Sequence, residues 1–214
     1  MTFETEQEEF WAGEFGNDYI NRNQEDDYLK SNLILFQKAL QKASSLSSVI
    51  EFGPNIGVNL RAIHNLFPEV ELNAIEINAR AVEELKKWGK ISGLFHKSIL
   101  DFKPEKHYDL VLVKGVLIHQ DPSVLPQIYD LLYESSAKYI LMAEYFNPTP
   151  VEVPYRGYTK KLFKRDFAGE LLERHKDLKL IDYGFAYSKD QNYPPNISRN
   201  FDDETWFLMK KGNV

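Results

Sequence analysis

The alternation of apolar and polar segments along the chain predicts a layered α/β fold. Between residues 46 and 144, short apolar runs alternate with segments whose apolar residues recur at helical spacing. This alternation is typical of a parallel sheet whose strands are joined by crossover helices. The predicted strands are Ser48–Phe52, Leu72–Ile75, Gly93–His96, Asp109–Val113 and Tyr139–Glu144, and the predicted helices are Val58–Leu66, Ala79–Trp88 and Val124–Glu134.

Both ends of the chain differ from this central pattern. Residues 1–45 consist of an acidic segment followed by an amphipathic helix at Leu29–Ala43. We expect them to form a helical lid segment, and residues 46–214 to form the main body of a single domain. Asn78 and Ser123 are suited to cap helices. The later predicted elements are a helix at Arg165–His175 and strands at Leu180–Ser188 and Thr205–Lys210.

Composition indicates a globular protein without thiol chemistry. The 214 residues are 43% hydrophobic and 14% aromatic, which is enough to fill a core. Cysteine is absent, which excludes disulfides and a cysteine nucleophile. No apolar run is long enough to span a membrane, and the acidic N-terminus does not resemble a secretory signal. We therefore expect a cytoplasmic protein with no membrane partner and no metal site.

The charge pattern argues against a nucleic-acid partner. The net charge is −6, and nine of the 32 acidic residues lie in the first 30 positions, leaving a nearly neutral body. One local run is basic and contains no acid. It comprises Arg156, Lys160, Lys161, Lys164 and Arg165. These features favour a small-molecule partner, and they do not predict the oligomeric state.

The strand at Ser48–Phe52 leads into a turn that bears glycine. A dinucleotide-binding turn needs glycine at its first, third and sixth positions, and this chain offers only the first, Gly53. The alternative pattern has glycine at the first, third and fifth positions. This chain has glycine at the first and fifth, Gly53 and Gly57, and Asn55 at the third. Asparagine is among the few residues that tolerate the left-handed conformation, so Asn55 is expected to adopt it.

Carboxylates lie on either side of this turn. Glu51 precedes it by two residues and suits an ammonium group. Glu76 ends the next strand, 23 residues after Gly53, where a carboxylate can accept both hydroxyls of a ribose, with Ile77 beside it. Lys114 and Gly115 end the fourth strand, at the edge where α/β sheets bind ligands. These positions favour a nucleoside-bearing cofactor.

In order and spacing, residues 46–210 resemble the class I methyltransferases that use S-adenosylmethionine (SAM). The resemblance implies a Rossmann-like seven-stranded sheet of order 3-2-1-4-5-7-6, with the last strand antiparallel and an N-terminal helical lid. It implies SAM as cofactor and S-adenosylhomocysteine (SAH) as product. It also places the adenine at Ser98, Ile99 and Leu100, although many relatives have Asp where this chain has Ser98.

A narrower resemblance covers nearly the whole chain. Residues 6–23, 144–148, 153–157, 163–170 and 203–207 are similar to the pseudaminic acid biosynthesis-associated methylases. The family fold implies that Trp11, Phe15 and Tyr19 cover the cofactor, with Tyr19, Arg22 or Asn23 near its carboxylate. The family name implies a nonulosonic acid derivative as acceptor only weakly.

Methyl transfer needs a base only when the acceptor arrives protonated. The candidates at the sheet edge are His119, Glu144 and Tyr145. Tyr155 and Arg156 are predicted to bind the acceptor, which the basic loop suggests is anionic or sugar-like, whereas Lys160, Lys161 and Lys164 are expected to be mostly solvated. Two alternatives remain open: a non-catalytic SAM-binding protein, and an NAD-dependent oxidoreductase, which the glycine spacing disfavours.

Overall fold

A computed structural model describes residues 2–20 and 26–212. It shows one large sheet with helices on both faces. The helices are α1 (Glu6–Ala12), α2 (Glu14–Ile20), α3 (Asp26–Ala39), α4 (Val58–Leu66), α5 (Ala79–Trp88), α6 (Leu125–Ser135), α7 (Phe167–Arg174) and α8 (Pro195–Ser198), with 3₁₀ turns at Leu117–His119 and Arg199–Phe201. The strands are β1 (Ser48–Phe52), β2 (Glu71–Glu76), β3 (Gly93–His96), β4 (Tyr108–Lys114), β5 (Ser136–Glu144), β6 (Val151–Glu152), β7 (Phe163–Lys164), β8 (Leu178–Ala186) and β9 (Glu204–Lys211).

The large sheet has seven strands in the order β3-β2-β1-β4-β5-β9-β8. Strands β1 to β5 are parallel, and β9 runs antiparallel to both of its neighbours. Strands β6 and β7 form a separate two-stranded sheet. Counting only the strands of the large sheet, the order is 3-2-1-4-5-7-6 with the last strand antiparallel, so the predicted fold class is confirmed.

The strand pattern builds one core on each face of the sheet. Successive side chains of a strand point to opposite faces, so neighbours in β1 belong to different cores. Ile50 packs in the core that contains Ile128 of α6, whereas Val49 packs in the core that contains Phe36 of α3 and Leu60 of α4. Because both faces are covered, the middle positions of the central strands are mostly apolar, and β2 and β4 end on the charged residues Glu76 and Lys114.

The first 45 residues divide into two structural roles. The predicted helix Leu29–Ala43 is observed as α3, and its residues Leu35, Phe36 and Ala39 are part of a core of the main body. Helices α1 and α2 instead lie over the carboxyl ends of the strands. We therefore use the word lid for α1 and α2 alone, and both the lid role and the division at residue 45 stay predictions.

Two predicted helix caps have different outcomes. The Asn78 side chain accepts a hydrogen bond from the Ala81 N–H at 3.0 Å, which confirms it as the N-cap of α5. The Ser123 prediction is wrong, because Val124 precedes the first residue of α6 and the Ser123 hydroxyl donates to Asp121 at 2.6 Å. None of the described helices has the length and apolar character that a membrane span requires.

Candidate cofactor and active site

The turn after β1 has the backbone that its sequence predicts. Gly53, Asn55 and Gly57 have φ values of 72°, 52° and 82°, all in the left-handed region. A Cβ on Gly53 would lie 2.8 Å from Val116, and one on Gly57 would lie 2.6 Å from Leu85. Only glycine fits at these two positions, whereas Asn55 adopts the conformation with its side chain in place, as expected.

Glu76 fixes this turn against the end of β2. Its Oε2 accepts the Asn55 N–H at 2.8 Å, and its Oε1 accepts the Asn78 N–H at 2.7 Å. The side chain is buried, and burial raises its pKa although the amide donors oppose the shift. Because a carboxylate has about four lone pairs, Glu76 retains acceptor capacity for a ligand in the cavity.

Glu51 lies behind the turn and does not line the cavity. It is fully buried, and its Oε1 accepts from the Asn59 side chain at 2.6 Å. Burial raises the pKa of Glu51 to about 8, against the opposing effects of Asn59 and Lys114. Asn59, which the sequence did not single out, lines the cavity in its place, and its Oδ1 has no hydrogen-bond partner within the described residues.

Lys114 lies at the end of β4 and is neutralised by a partner from β9. Its ammonium is 2.8 Å from Glu204 Oε2, and the Tyr28 hydroxyl is at 3.4 Å. Burial acts to lower the pKa of Lys114, but Glu204 and Tyr28 hold it well above its usual value. Lys114 therefore lines the cavity as half of an ion pair, and Gly115 follows it with a φ of 65°.

His119 has the geometry of a neutral base. Its Nδ1 lies 2.5 Å from the backbone oxygen of Lys161, and a carbonyl oxygen can only accept. The hydrogen therefore resides on Nδ1, and Nε2 keeps its lone pair. Burial lowers the pKa of His119 to about 4, so the imidazole is uncharged at neutral pH. Its ring lies between those of Trp11, at 4.7 Å, and Tyr155, at 4.8 Å.

Glu144 supports His119 from below and does not line the cavity. Its carboxylate accepts the N–H groups of Val116 at 3.0 Å, Leu117 at 2.9 Å and Ile118 at 3.3 Å. It thereby caps the 3₁₀ turn that carries His119. Burial raises the pKa of Glu144 to about 8, against the effect of these amides. Tyr145, the next residue, does line the cavity, and burial raises its pKa as well.

The segment after β3 contributes Ser98 and Ile99 to the cavity, whereas Leu100 belongs to a core. The Ser98 hydroxyl accepts the Leu100 N–H at 3.1 Å and donates to Oε1 of Glu8 in the lid. Within the described residues, the Ile99 N–H has no hydrogen-bond partner. The same holds for the Ser98 N–H, so this segment presents free amides at this end of the cavity.

Helices α1 and α2 are fastened across the strand ends. The Asn78 amide donates to the Trp11 carbonyl and to the Asn17 side chain, both at 3.1 Å. On the other side of the cavity, the Gln7 amide donates to the Lys160 carbonyl at 2.9 Å. Gly16 permits the close approach of the two helices, since a Cβ there would lie 1.9 Å from the Trp11 oxygen. Trp11 and Tyr19 line the closed cavity.

The basic loop, residues 153–165, contributes Tyr155 and Leu162 to the lining of the cavity. Tyr155 lines the cavity, whereas Arg156 is exposed, has a φ of 52° and lies outside the lining. The expectation that Lys161 is solvated is wrong, because its side chain is buried and its ammonium lies 3.4 Å from Glu6. Arg22 and Asn23 lie outside the described residues.

Most of the predicted site residues surround one cavity of about 180 Å³. Those that line it are Trp11, Tyr19, Gly53, Asn55, Glu76, Ile77, Ser98, Ile99, Lys114, Gly115, His119, Tyr145 and Tyr155. Those that lie outside the lining are Glu51, Gly57, Leu100, Glu144 and Arg156. The sequence missed Gln7, Glu8, Tyr28, Asn59, Asp202 and Glu204, which also line it. Glu8 was detectable as the last residue of a Thr5-x-x-Glu8 capping box, although that pattern does not indicate that it reaches a cavity.

Comparison with solved structures identifies the fold. Over 96% of this chain and 81% of the other, the chain is similar to a SAM-dependent methyltransferase from Leishmania major, with a TM-score of 0.70 and 12% identity. The magnesium protoporphyrin IX methyltransferase from Synechocystis PCC 6803, solved with bound SAM, gives a TM-score of 0.68 and 10% identity over 99% of this chain and 100% of that one. The fold is that of the class I methyltransferases.

A third similar structure is the plantazolicin methyltransferase BpumL, solved with a pentazolic desmethylPZN analogue and SAH. Its TM-score is 0.65 with 13% identity, over 96% of this chain and 95% of that one. No family model matches the chain, and no curated protein matches it either. Identities this low establish the fold alone, so the narrower resemblance to pseudaminic acid-associated methylases stays a prediction.

Proposed function

We propose that this protein is a SAM-dependent methyltransferase that acts on an oxygen or nitrogen of a small molecule. The observation that carries the proposal is the placement of a neutral His119 in the same closed cavity as the glycine turn and Glu76. Structural neighbours crystallised with SAM or SAH support the same cofactor. The Asn59 Oδ1, which is buried beside this turn and has no partner in the part of the chain that the structure describes, is suited to a donor group of the cofactor.

The polar groups on the cofactor side of the cavity match the hydrogen-bonding groups of SAM. Glu76 would accept the ribose hydroxyls, and the Ile99 N–H would donate to the adenine. The Lys114–Glu204 ion pair and Asn59 would bind the amino-acid end, which carries both a carboxylate and an ammonium. When bound, SAM supplies the methyl group from its sulfonium.

The chain's own contribution to transfer is alignment, exclusion of water and removal of a proton. Trp11 and Tyr19 in the lid close the cavity, which holds the acceptor in line with the methyl group. His119 would accept the acceptor's proton at Nε2, because its Nδ1–H is committed to the Lys161 carbonyl. Glu144 keeps His119 in place through the 3₁₀ turn and is a positioning residue in this scheme.

For the acceptor, the proposal remains an anionic or sugar-like metabolite, with nonulosonic acid derivatives as one class to test. The acidic side chains of the cavity lining outnumber the basic ones; they are Glu8, Glu76, Asp202 and Glu204 against Lys97 and Lys114. An anionic group in addition to the cofactor's carboxylate would therefore be disfavoured there. The exposed side chains of Arg156 and Lys160 lie outside the cavity. An acceptor would therefore direct its hydroxyl or amine inward past Tyr155 and leave its acidic group near these two cations.

A turnover assay tests the proposal. Purified protein would be incubated with SAM labelled in its methyl group and with a panel of sugar acids, nonulosonic acids, nucleotide sugars and uncharged sugars. The expected result is label transferred to an acidic member of the panel, with SAH formed in equal amount. The proposal fails if SAM binds intact but no acceptor or cell metabolite extract yields SAH, which would indicate a non-catalytic SAM-binding protein. Binding of a nicotinamide dinucleotide in its place would indicate an oxidoreductase.

A further inference from the structure

One end of the cavity is built from two segments that are far apart in the chain. Ser98, just after β3, donates its hydroxyl hydrogen to Oε1 of Glu8, 90 residues away in α1. Both residues line the cavity, and both are buried, with relative exposures of 2% and 6%. A carboxylate from the lid therefore lies where the sheet itself offers only a hydroxyl.

The two oxygens of Glu8 have separate tasks. Oε2 accepts the Glu4 and Thr5 N–H groups, each at 2.8 Å, and the Thr5 hydroxyl at 3.1 Å. These bonds complete the capping box of α1, for which one oxygen is sufficient. Oε1 takes no part in the cap, and Ser98 uses one of its two lone pairs. One lone pair of a buried carboxylate therefore remains at the cavity.

The position of this lone pair follows from the strand order. In the sheet, β3 lies beyond β2, on the side away from β1 and β4. A ribose held by Glu76 at the end of β2 would therefore direct its base toward the end of β3, to the segment containing Ser98 and Ile99. The free Ile99 N–H supplies a donor there, and Glu8 supplies an acceptor. An adenine presents a matching pair on one edge, a ring nitrogen that accepts and an amino group that donates.

We propose that the carboxylate of Glu8 in the lid accepts a hydrogen bond from the amino group of the cofactor's adenine. Ser98 lies at the same end of the cavity but has no carboxylate for this role. This inference rests on the proposed function, since it assumes that the cofactor is SAM. It assigns a second role to the lid, because closing α1 over the cavity would bring the acceptor for that amino group into place. A nucleobase without the amino group would then lose a hydrogen bond that only the closed lid can form.

The test compares SAH with an analogue whose base is unsubstituted purine, which lacks the amino group but keeps the ring nitrogen. Hydrogen bonds to charged groups contribute enough to give the wild type a preference for SAH of roughly 10- to 100-fold in Kd, measured by calorimetry. Glu8→Gln should reduce this preference to less than about 3-fold, mainly by weakening SAH. Glutamine is accepted at this position of a capping box, so α1 should remain folded.

Two further variants separate recognition from lid stability. Gln7→Ala removes the neighbouring hydrogen bond to the Lys160 carbonyl. It should weaken the binding of SAH and of the purine analogue by the same factor, so the preference for SAH should not change. In the double variant Glu8→Gln/Ser98→Asp, the carboxylate moves from the lid to the sheet, and the preference for SAH should return. An unchanged preference in Glu8→Gln overturns the inference while leaving the proposed function in place. Failure of the wild type to bind SAH at all overturns both.

Discussion

The two halves of the cavity are constructed from contacts of very different range. On the cofactor half, the glycine turn and Glu76 are joined by a hydrogen bond between residues 21 positions apart, at the ends of adjacent strands. On the closing half, the bonds join Gln7 to residue 160 and Ser98 to Glu8, which are 153 and 90 positions apart. The first half is part of the sheet and forms with it. The second depends on two lid helices that a few polar bonds hold in place, and such elements open most readily.

The difference predicts which variants alter chemistry and which alter binding. His119 belongs to the closing half, and replacing it with phenylalanine should lower kcat by about 10²- to 10⁴-fold, because the acceptor loses its base. The affinity for SAH should change less than about 3-fold, since the cofactor half is untouched. The matched control is His107→Phe, an exposed histidine just before β4, which should leave kcat unchanged. Equal losses of kcat in both variants would remove His119 from the mechanism.

The pH dependence of kcat distinguishes a buried neutral histidine from a solvated one. Burial lowers the pKa of His119 to about 4, so the lone pair on Nε2 is present throughout the neutral range and is lost only as the pH falls toward that value. We expect a kcat that does not fall between pH 8 and pH 6, values that flank the usual pKa of about 6.5. A decline with a midpoint near that usual value would show that His119 is solvated during turnover.

On the cofactor half, the largest effect on affinity is expected from Glu76. Glu76→Ala should raise the Kd for SAH by about 100-fold, because the ribose loses a charged acceptor and the Asn55 amide loses the bond that orients the turn. The control is Glu71→Ala at the opposite end of β2, where the carboxylate pairs with Lys106 at the surface. Its affinity for SAH should match that of the wild type. If the two variants bind SAH equally well, the ribose does not lie at Glu76.

A smaller effect is expected from the lid. Trp11→Ala opens the face of the cavity above His119 and removes an aromatic contact at 4.7 Å. The Kd for SAH should rise by about 10-fold, with a further fall in kcat as water enters. The matched control is Phe3→Ala, since Phe3 is exposed and precedes α1 in the chain. This change should alter neither the Kd for SAH nor kcat. A Trp11 variant with wild-type kinetics would show that the lid does not close during turnover.

The smallest effect is expected from Arg156, which is exposed. Arg156→Ala should raise the KM of an acidic acceptor about 2- to 5-fold, because an ion pair in water contributes little. The Kd for SAH should not change. Lys189→Ala removes an exposed lysine from the loop after β8, outside the cavity lining, and serves as the control for net charge. An acceptor KM that is the same in both variants would place the acceptor away from Tyr155 and Arg156.

The range of the contacts also explains what the sequence could predict. Strands β1 and β3 and helices α4 and α5 have the predicted bounds, because their signals lie within short windows of sequence. The left-handed backbone of Asn55 followed from glycine spacing alone. The position of Glu51 did not follow, because burial behind Asn59 is a property of packing.

In both halves of the cavity, pairings between residues far apart in the chain resisted prediction because they carry no local signal. Glu204 pairs with Lys114, and the Lys161 carbonyl fixes the tautomer of His119, yet no spacing in the chain indicates either contact. The same limit applies to Glu144. Its position at the end of β5 suggested a catalytic acid or base, whereas its carboxylate is engaged with three amides of the neighbouring turn.

The most direct test of the account is a calorimetric titration of SAH into the wild-type protein and into Glu76→Ala. The account predicts one SAH per chain with a Kd below about 1 mM in the wild type, and binding weaker by about 100-fold in the variant. Absence of both heat and thermal stabilisation in the wild type at millimolar SAH would contradict it, because the glycine turn and Glu76 would then not bind this cofactor.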